Sequence, residues 1–535
     1  MSFDVIVIGS GFGGAITGCR LAEKGYKVLI IERGRRWTKD TYPSKTKKDW
    51  IYDPNRPERE SGWLDLRVYP NMSIAQGAAV GGGSLIYASI SVEAPDLAFN
   101  NRWPKEITKS ELKPHYNDVA AFMNVQKMPV NQRNPRTVLM EEGATKIGQG
   151  QRFEMIDMAV SFDPGYQLDI EKDPNTEENY KRSKIFTNDQ GQEQGTCVHA
   201  GFCDIGCPVY AKNTLDLNYI PWAEKHGAEV RELTVVTNIE PQSGGYRVAF
   251  DRIDLKNHDR ISGSETARIV IVAAGSLGST ELLLRCRDEN KSLPNISHRL
   301  GHNWSSNGDF LTPAIYTKRK LYPDRGPTIS SAINFLDGSD GGQVYWIEDG
   351  GMPNLLGDRM TMGVGKIAKG LNAESLITGI QDYLRDSSLT NNVMPWFAQG
   401  MDAGDGVLKL KRPWWQFGFG SKKLHLDWDI KQSLPVMNAI VNRHKELSDK
   451  TGGTPLVPPG WTLSHDLITP HPLGGCNMGD TAENGVVNHK GEVFGYKNLY
   501  VADGAIIPTA LGVNPSRTIG ALAERIAKHI ADEGR

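Results

Sequence analysis

This sequence of 535 residues has few cysteines, no long apolar run and no marked excess of one charge. No uninterrupted apolar stretch reaches the roughly 18 residues that a bilayer-spanning helix needs, so we expect no transmembrane segment. Lysine and arginine total 61 against 63 aspartate and glutamate residues, which disfavours polyanion binding and predicts no nucleic-acid partner. Six cysteines and an N-terminus without a signal-sequence pattern predict a soluble protein of the reducing cytoplasm.

Glycines are plentiful near the N-terminus, where strand, helix and strand patterns follow one another at 3–8, 15–24 and 27–31. Between the first two, Gly9 permits a tight turn, Gly11 lets the backbone approach a pyrophosphate, and Gly14 lets the helix pack on the strand. Glu32 follows the second strand and is placed to bind a ribose hydroxyl. The pattern predicts a dinucleotide site, but it does not separate FAD from NAD.

Residues 76–95, QGAAVGGGSLIYASISVEAP, contain a second glycine-rich loop. It resembles the flavin-contacting loop of the glucose-methanol-choline (GMC) oxidoreductase family, especially of its cholesterol oxidase-like members. The resemblance implies FAD as cofactor, with contacts from Gly82, Gly83 and Ser84. The loop lacks the histidine that some family members join to FAD, so we expect non-covalent FAD.

The C-terminal part carries the most specific resemblance, in HPLGGC at 471–476 and NLYVADGAIIPTALGVNPSRTIGALAERIA at 498–527. In the family the corresponding segments border the flavin, which implies such positions for Asp503, Gly504, Asn514 and Pro515. Upstream, a strand predicted over Glu229–Ile239 includes Val236, which matches the family position that contacts adenine. A further strand-glycine unit at 269–279 is expected to return to the nucleotide sheet.

Oxidation of an alcohol by flavin requires a base beside the ring, and histidine accepts protons near neutral pH. The resemblance favours His471 as that base and Asn514 as the residue that orients the hydroxyl. Glu348 lies four residues before Met352, the offset at which cholesterol oxidases carry a steroid-isomerising glutamate. We list it as a catalytic candidate, with a solvated loop carboxylate as the alternative.

These residues predict an FAD-dependent enzyme that oxidises a secondary alcohol, of which a sterol-like molecule is one candidate, to a ketone by hydride transfer. Oxygen or an external acceptor would then take the electrons. One alternative is an acceptor-linked sugar or polyol dehydrogenase, and another is a redox-neutral flavoprotein.

The acceptor-linked alternative rests on Cys197, Cys203 and Cys207, whose C-x5-C-x3-C spacing resembles the iron-sulfur segment of bacterial FAD glucose dehydrogenases in the same family. Buried structural thiols are the favoured interpretation, so we expect no metal. A zinc site with His199 and a disulfide are further alternatives. The remaining cysteines, Cys19, Cys286 and Cys476, are isolated and predicted to pack in the core.

The order of these blocks predicts an α/β fold with a discontinuous FAD-binding Rossmann-like domain and an α+β substrate domain with an antiparallel sheet. The FAD-binding domain is predicted over 1–95, 200–310 and 460–535, and the substrate-binding cap over 96–199 and 311–459. Strand patterns at 407–412 and 423–429 are assigned to the cap sheet. As cavity walls or exposed aromatic anchors we consider Trp396, Trp414, Trp415 and Phe417.

Overall fold

The computed structural model describes residues 1–46, 48–353, 390–412 and 422–534. Its strands, in chain order, are β1 (Phe3–Ile8), β2 (Val28–Ile31), β3 (Leu64–Tyr69), β4 (Met72–Gly77), β5 (Gln126–Lys127), β6 (Phe153–Met155), β7 (Asp157–Met158), β8 (Phe186–Thr187), β9 (Glu193–Gln194), β10 (Glu229–Arg231), β11 (Thr234–Gln242), β12 (Gly245–Asp254), β13 (Asp259–Val272), β14 (Phe310–Ile315), β15 (Ser331–Asp340), β16 (Gln343–Asp349), β17 (Val393–Gly400), β18 (Val407–Lys411), β19 (Lys423–Asp427), β20 (Thr454–Pro455), β21 (Leu467–Thr469) and β22 (Leu499–Val501). Its α-helices are α1 (Phe12–Glu23), α2 (Pro43–Thr46), α3 (Lys109–Phe122), α4 (Pro135–Lys146), α5 (Glu177–Tyr180), α6 (Tyr219–Lys225), α7 (Gly275–Leu284), α8 (Leu434–Thr451), α9 (Pro459–Ser464) and α10 (Ser516–Glu533).

A seven-stranded sheet forms the nucleotide-binding part, in the order β10-β2-β1-β13-β12-β11 with β22 also paired to β13. Strand β1 is parallel to both neighbours, so that Val5 lies opposite Val28 on β2 and Ile269 on β13. These three side chains are buried, as expected for a parallel sheet covered on both faces. The carboxyl ends of β1, β2, β13 and β22 therefore meet at one edge, where such folds bind ligands.

The segment Glu229–Ile239 corrects the sequence prediction of one strand. It contains the end-to-end strands β10, which pairs with β2, and β11, which pairs with β12. Leu233 separates them with a φ of 50°, a left-handed conformation that interrupts an extended chain. Val236 lies on β11 beside a register shift.

A six-stranded antiparallel sheet forms the second part, in the order β20-β14-β17-β16-β15-β6. Helices α4 and α8 pack against it. Side chains alternate between the faces of a strand, and on β17 Trp396 donates its indole N–H to Ser448 of α8 at 3.0 Å, whereas Pro395 and Phe397 line a cavity. Trp396 is thus a fully buried core residue, and both interpretations offered for it were wrong.

The predicted strands at 407–412 and 423–429 exist as β18 and β19, but they form a separate two-stranded hairpin outside the six-stranded sheet. Trp414, Trp415 and Phe417 lie outside the described residues. The predicted fold class, a discontinuous Rossmann-like α/β domain with an antiparallel second sheet, is confirmed, while the domain boundaries remain a prediction. Within the described ranges, no helix is long and apolar enough to cross a membrane.

Candidate functional site

A cavity of about 2560 Å³ is lined by residues of both sheets. Single small-molecule pockets usually have volumes of about 300–1,000 Å³, so this cavity has room for a dinucleotide together with a second molecule. It runs from the glycine turn after β1 to His471 and Asn514, and it also reaches Val236 on β11.

The glycine turn leaves no space for side chains where α1 begins. Gly9 has a φ of 103°, and a Cβ there would lie 2.3 Å from the carbonyl oxygen of Ala273. A Cβ on Gly14 would lie 2.0 Å from the carbonyl oxygen of Gly9, and one on Gly13 only 1.6 Å from that of Ala502. The sequence interpretation did not single out Gly13, whose role depends on contact with a segment nearly 500 residues away. Gly9 and Gly13 also line the cavity, so backbone N–H groups at the start of α1 are available to a pyrophosphate.

The second glycine loop stands directly against the first. Gly82 has a φ of 52°, and a Cβ there would lie 2.6 Å from the Cα of Gly11, whereas a Cβ on Gly83 would meet nothing within 4 Å. Both line the cavity, but Ser84 does not. The Ser84 hydroxyl donates to the carbonyl of Gly81 at 2.7 Å and accepts the N–H of Leu215 at 3.0 Å. Ser84 therefore fixes the loop conformation. It lies outside the cavity lining, where a ligand contact was expected.

Glu32 lies at the end of β2 and lines the cavity near Val236. Its Oε2 accepts the N–H and hydroxyl of Ser10 at 3.0 and 2.7 Å, and its Oε1 accepts the N–H of Gly34 at 2.9 Å. A carboxylate has about four acceptor positions, so Oε1 keeps one for a ribose hydroxyl. The Ser10 hydroxyl also accepts the N–H of Gly81 at 3.0 Å, which joins the two glycine loops.

Asp503 connects the ends of two elements at the cavity edge. Its Oδ2 accepts the N–H of Gly275 at 2.8 Å and the hydroxyl of Ser279 at 2.5 Å, while its Oδ1 accepts the N–H of Ala505 at 2.8 Å. It therefore holds the start of α7 against the 504–506 turn. Asp503 and the neighbouring Gly504 line the cavity, as does Pro515 at the start of α10.

Asn514 lines the cavity with a side-chain amide. Its side chain is buried, and its Oδ1 has no hydrogen-bond partner among the described residues. The loop before it is fixed by Asn307, whose Oδ1 accepts the N–H groups of Leu511 and Gly512 at 2.9 and 3.0 Å and whose Nδ2 donates to the carbonyl of Val513 at 2.9 Å. A side-chain amide that lines a cavity can donate its N–H groups to a ligand hydroxyl, so Asn514 is a candidate to orient one.

His471 lies in the same cavity, with its ring bound by a buried carboxylate. Its Nδ1 lies 2.9 and 3.0 Å from the two carboxylate oxygens of Asp309. Thr469 donates its hydroxyl to Asp309 at 2.5 Å, and its oxygen accepts the N–H of His471 at 2.9 Å. These contacts fix the orientation of the ring. The Nδ1–H of the imidazole donates to Asp309, which leaves Nε2 to bind a ligand.

Burial by itself lowers the pKa of His471, but the charge and hydrogen bond of Asp309 outweigh burial, so the pKa lies above its ordinary value. Glu348 raises it further. The result is an imidazole that accepts a proton more readily than a free histidine.

Glu348 is a buried strand residue, which contradicts the solvated-loop alternative. It lies on β16 opposite Phe397, and its carboxylate accepts the indole N–H of Trp346 at 2.9 Å and the amide of Gln399 at 3.0 Å. Burial raises its pKa to about 7 despite these two hydrogen bonds. Glu348 does not itself line the cavity, although Phe397 does. It therefore acts on the site through the charge that it places near His471.

The wall of the cavity beyond Phe397 is organised by Arg136, which the sequence did not indicate. Its buried guanidinium donates to five backbone carbonyls, those of Arg325, Pro327, Thr328, Asp349 and Gly350. Thr328 and Gly350 line the cavity. One side chain thus holds two chain segments in place where a substrate would lie.

The cysteine segment does not form a ligand cluster in the described residues, where no group of three or more His, Cys, Asp or Glu side chains is placed to hold a metal ion. The Sγ of Cys197 accepts the N–H of His199 at 3.4 Å, and that of Cys207 accepts the N–H of Ala211 at 3.3 Å. The buried His199 contacts Gln132 through Nε2 at 2.9 Å. All six cysteines have free thiols, and Cys19, Cys286 and Cys476 are buried as expected.

Most of the predicted site residues therefore line one cavity; the exceptions are Gly14, Ser84, Glu348 and the three clustered cysteines. Sequence reasoning missed Asp309 and Asn307. The only available signal was the polar stretch Ser305–Asp309 before an apolar strand, and nothing in it indicates a partner 162 residues away.

Comparisons with known proteins find relatives that match almost the whole chain. A family model described as GMC oxidoreductase matches residues 428–523, and one described as an NAD(P)-binding Rossmann-like domain matches residues 7–53. A cholesterol oxidase of Acinetobacter baumannii is 31% identical over 559 residues, which cover 99% of this chain and 96% of the relative. A long-chain-alcohol oxidase of Arabidopsis thaliana is 24% identical, covering 99% of this chain and 67% of the relative.

Among solved structures, the formate oxidase of Aspergillus oryzae RIB40 superposes with a TM-score of 0.63 at 13% identity, covering 99% of this chain and 98% of that one. At this identity the likeness shows a shared fold alone.

Proposed function

Because the chain belongs to the GMC oxidoreductase family, as a cholesterol oxidase-like, FAD-dependent enzyme that acts on CH–OH donors, we propose that it oxidises a secondary hydroxyl to a ketone with His471 as the base. The observation that carries this proposal is the juxtaposition of the His471–Asp309 pair with the side-chain amide of Asn514 in one cavity. A carbinol between these groups can give its one hydroxyl proton to the imidazole while its oxygen accepts an N–H of the amide.

The residues present fit FAD. Gly9, Gly11 and Gly13 line the cavity with backbone at the start of α1, where a pyrophosphate would lie. Glu32 keeps an acceptor for ribose, and Gly83 leaves space for a flat ring. When bound, FAD supplies the acceptor of the carbinol hydride. We propose that it is held without a covalent bond, consistent with the glycine loop that lacks a histidine.

The side chains provide positioning and proton transfer. The Asn514 amide donates an N–H to the substrate oxygen and directs the hydroxyl, and Nε2 of His471 takes the single hydroxyl proton as the C–H hydride leaves and the C=O bond forms. Asp309 keeps the Nδ1 proton in place and stabilises the imidazolium that results. One proton on His471 and one hydride on the acceptor account for both hydrogens lost by the alcohol.

The size of the cavity supports a bulky apolar substrate. Pro395, Phe397, Leu311 and Met352 line it on the side of the six-stranded sheet, and the relatives named above act on cholesterol and on long-chain alcohols. We infer a sterol-like or long aliphatic alcohol as the substrate class, with oxygen or an external acceptor taking the electrons. The cytoplasmic location remains a prediction.

The test is anaerobic mixing of the FAD-loaded enzyme with a panel of sterols, long-chain alcohols and sugars while flavin absorbance is followed. His471→Ala should retain FAD yet reduce the rate of flavin reduction at least about a hundredfold, the scale of a lost general base. His425→Ala is the matched control, because His425 also lines the cavity but bonds to Asp427 on its own hairpin. Undiminished reduction in His471→Ala would remove the histidine from the mechanism.

A further inference from the structure

A short turn at Cys203–Ile205 brings one carboxylate, that of Asp204, to the wall of the cavity. The indole N–H of the buried Trp63 donates to the backbone carbonyl of Asp204 at 3.2 Å. Nζ of Lys212 donates to the carbonyl of the residue before Asp204 at 2.5 Å and to that of Leu85 at 2.9 Å. Because Leu85 belongs to the second glycine loop, these contacts fix Asp204 beside that loop.

The carboxylate of Asp204 keeps acceptor positions for a molecule in the cavity. The side chain of Thr328 lies beside it, and both residues line the cavity. The cation that acts on it, Lys212, uses two of its three N–H donors for backbone carbonyls. In the described part of the chain Lys212 forms no ion pair with Asp204. Since a carboxylate has about four acceptor positions, Asp204 can accept a hydrogen bond from a ligand.

Asp204 is an anion at neutral pH. Burial raises the pKa of its carboxyl to about 6, although the positive charge of Lys212 opposes this rise. Burial also lowers the pKa of Lys212, but only to about 8, so its amino group stays protonated at neutral pH. The cavity wall therefore presents a charged acceptor, which forms stronger hydrogen bonds than a neutral one.

The apolar wall of the cavity begins beside the proposed base. The ring of Phe397 lies 6.4 Å from that of His471, measured between centroids. Pro395 lies two residues earlier, on the same face of β17, and also lines the cavity. A Cβ on Gly350 would lie 2.3 Å from the carbonyl oxygen of Pro395. The wall thus continues from β17 to the segment that follows β16.

Beyond Gly350 the wall leads to Asp204. A Cβ on Gly351 would lie 2.7 Å from the carbonyl oxygen of Thr328, whose side chain lies beside the Asp204 carboxylate. Each of these residues lines the cavity. Neither Asp204 nor His471 contributes to the pKa of the other, which places the carboxylate away from the reacting carbinol.

We propose that Asp204 is a second polar anchor for the substrate and accepts a hydrogen bond from a hydroxyl remote from the reacting carbinol. The inference rests on the proposed function, and it narrows the substrate class to bulky apolar alcohols with a hydroxyl at each end. An alcohol with one hydroxyl would displace water from Asp204 without replacing its hydrogen bonds, which weakens binding. A site built to bond a hydroxyl discriminates in this way against the analogue that lacks it.

The experiment compares matched pairs of substrates with the FAD-loaded enzyme. Cholesterol is paired with cholesterol whose side chain ends in a tertiary hydroxyl, and a long-chain secondary alcohol with the same chain carrying a tertiary hydroxyl at its far end. A tertiary carbinol has no hydride to lose, so only the other hydroxyl reacts. In the wild type the second hydroxyl should raise kcat/KM about tenfold, the effect of a hydrogen bond to a charged group. The gain should come from a lower KM, because the anchor lies away from the reacting atoms.

Two variants of Asp204 test the anchor. Asp204→Asn keeps the shape and a neutral acceptor, so the preference for the second hydroxyl should fall to about threefold or less. Asp204→Leu has a similar size but no acceptor, and it should abolish the preference. The matched control is Asp53→Asn, because Asp53 also lines the cavity but accepts hydrogen bonds from Asn55 and Arg56. The control should keep the tenfold preference, and flavin absorbance shows that each variant is folded and loaded.

The ketones that correspond to each pair are measured as ligands, because they bind without losing a hydride. Their binding is followed by the change in flavin absorbance, and the hydroxylated ketone should bind the wild type about tenfold more tightly than its parent. Equal turnover within each pair, or an equal loss of preference in Asp53→Asn, would overturn the anchor and leave alcohol oxidation standing. Tighter binding of the hydroxylated ketones by an enzyme that oxidises neither alcohol would refute the proposed function alone.

Discussion

Two regions of the cavity are built differently. Around Gly9, Gly13 and Gly82, which we call the glycine cradle, contact with a ligand is left to the backbone. Around His471, which we call the corner, the cavity is formed by side chains that come from distant segments. The cradle is constrained by sterics, since added Cβ atoms would lie 1.6 to 2.6 Å from backbone atoms. The corner is constrained by hydrogen bonds, among them the 2.9 Å contact between His471 and Asp309. Damage to the cradle should therefore prevent FAD binding, whereas damage to the corner should leave FAD bound and slow the reaction.

Gly13→Ala tests the steric side and should have the largest effect. A Cβ 1.6 Å from the carbonyl of Ala502 forces α1 away from the cradle. A cost of about 4 kcal/mol or more corresponds to about a thousandfold loss of FAD affinity. Flavin absorbance of the purified protein measures it. The control is Gly143→Ala in α4, where the atom nearest to a Cβ is the flexible tip of Leu447 at 3.0 Å. A yellow Gly13→Ala protein with full FAD content would contradict the steric account.

Asp309→Asn tests the hydrogen-bonded corner. Flavin reduction by alcohol should fall about tenfold to a hundredfold, because the imidazole loses the carboxylate that makes it a stronger base. His471 must be neutral to accept a proton, so the rate rises with pH through its pKa. Asp309 raises that pKa, and the acid limb of the rate profile should therefore move to lower pH in the variant. Stopped-flow rates across a pH series measure both changes, and an unmoved acid limb argues against the pair.

Glu348→Gln sharpens the comparison within the corner, because Glu348 acts on His471 only through its charge. The acid limb should again move to lower pH, by less than about one unit, with the maximal rate within about threefold of the wild type. If Glu348 is a steroid-isomerase base, the wild type converts a sterol to the conjugated ketone and the variant stops at the unconjugated one. Ultraviolet spectra of the product distinguish the two outcomes. We expect no difference between them, since Glu348 does not line the cavity.

Cys203→Ser/Cys207→Ser should have the smallest effect. In the described residues these thiols join neither the cradle nor the corner, so flavin reduction should stay within about twofold of the wild type. Iron and acid-labile sulfide are measured in anaerobically purified wild type at the same time. Stoichiometric iron and sulfide that disappear in the variant would establish the acceptor-linked alternative instead.

The contrast between local glycine turns and contacts between distant segments explains which features the sequence could predict. Local spacing predicted the β1–α1–β2 unit, because tight turns leave a glycine pattern within a few residues. Gly82 and Gly83 were implied by the family resemblance of their loop. Asp309 and Arg136 could not be found in this way, since their partners lie over 150 residues away along the chain. The strand at 229–239 was predicted without its break, because Leu233 carries no glycine or proline signal. Strands β18 and β19 were predicted at the right positions. That they pair with each other and not with the six-stranded sheet depends on tertiary contacts.

Residues 305–309 connect Asn514 and His471, the two groups of the proposed reaction centre. Asn307 fixes the loop that presents Asn514, and two residues later Asp309 orients His471. A single shift of this backbone would misplace both the Asn514 amide, which orients the hydroxyl, and His471, which takes its proton. Substitutions at Asn307 and Asp309 should therefore be non-additive, with the double variant losing less activity than the product of the two single losses.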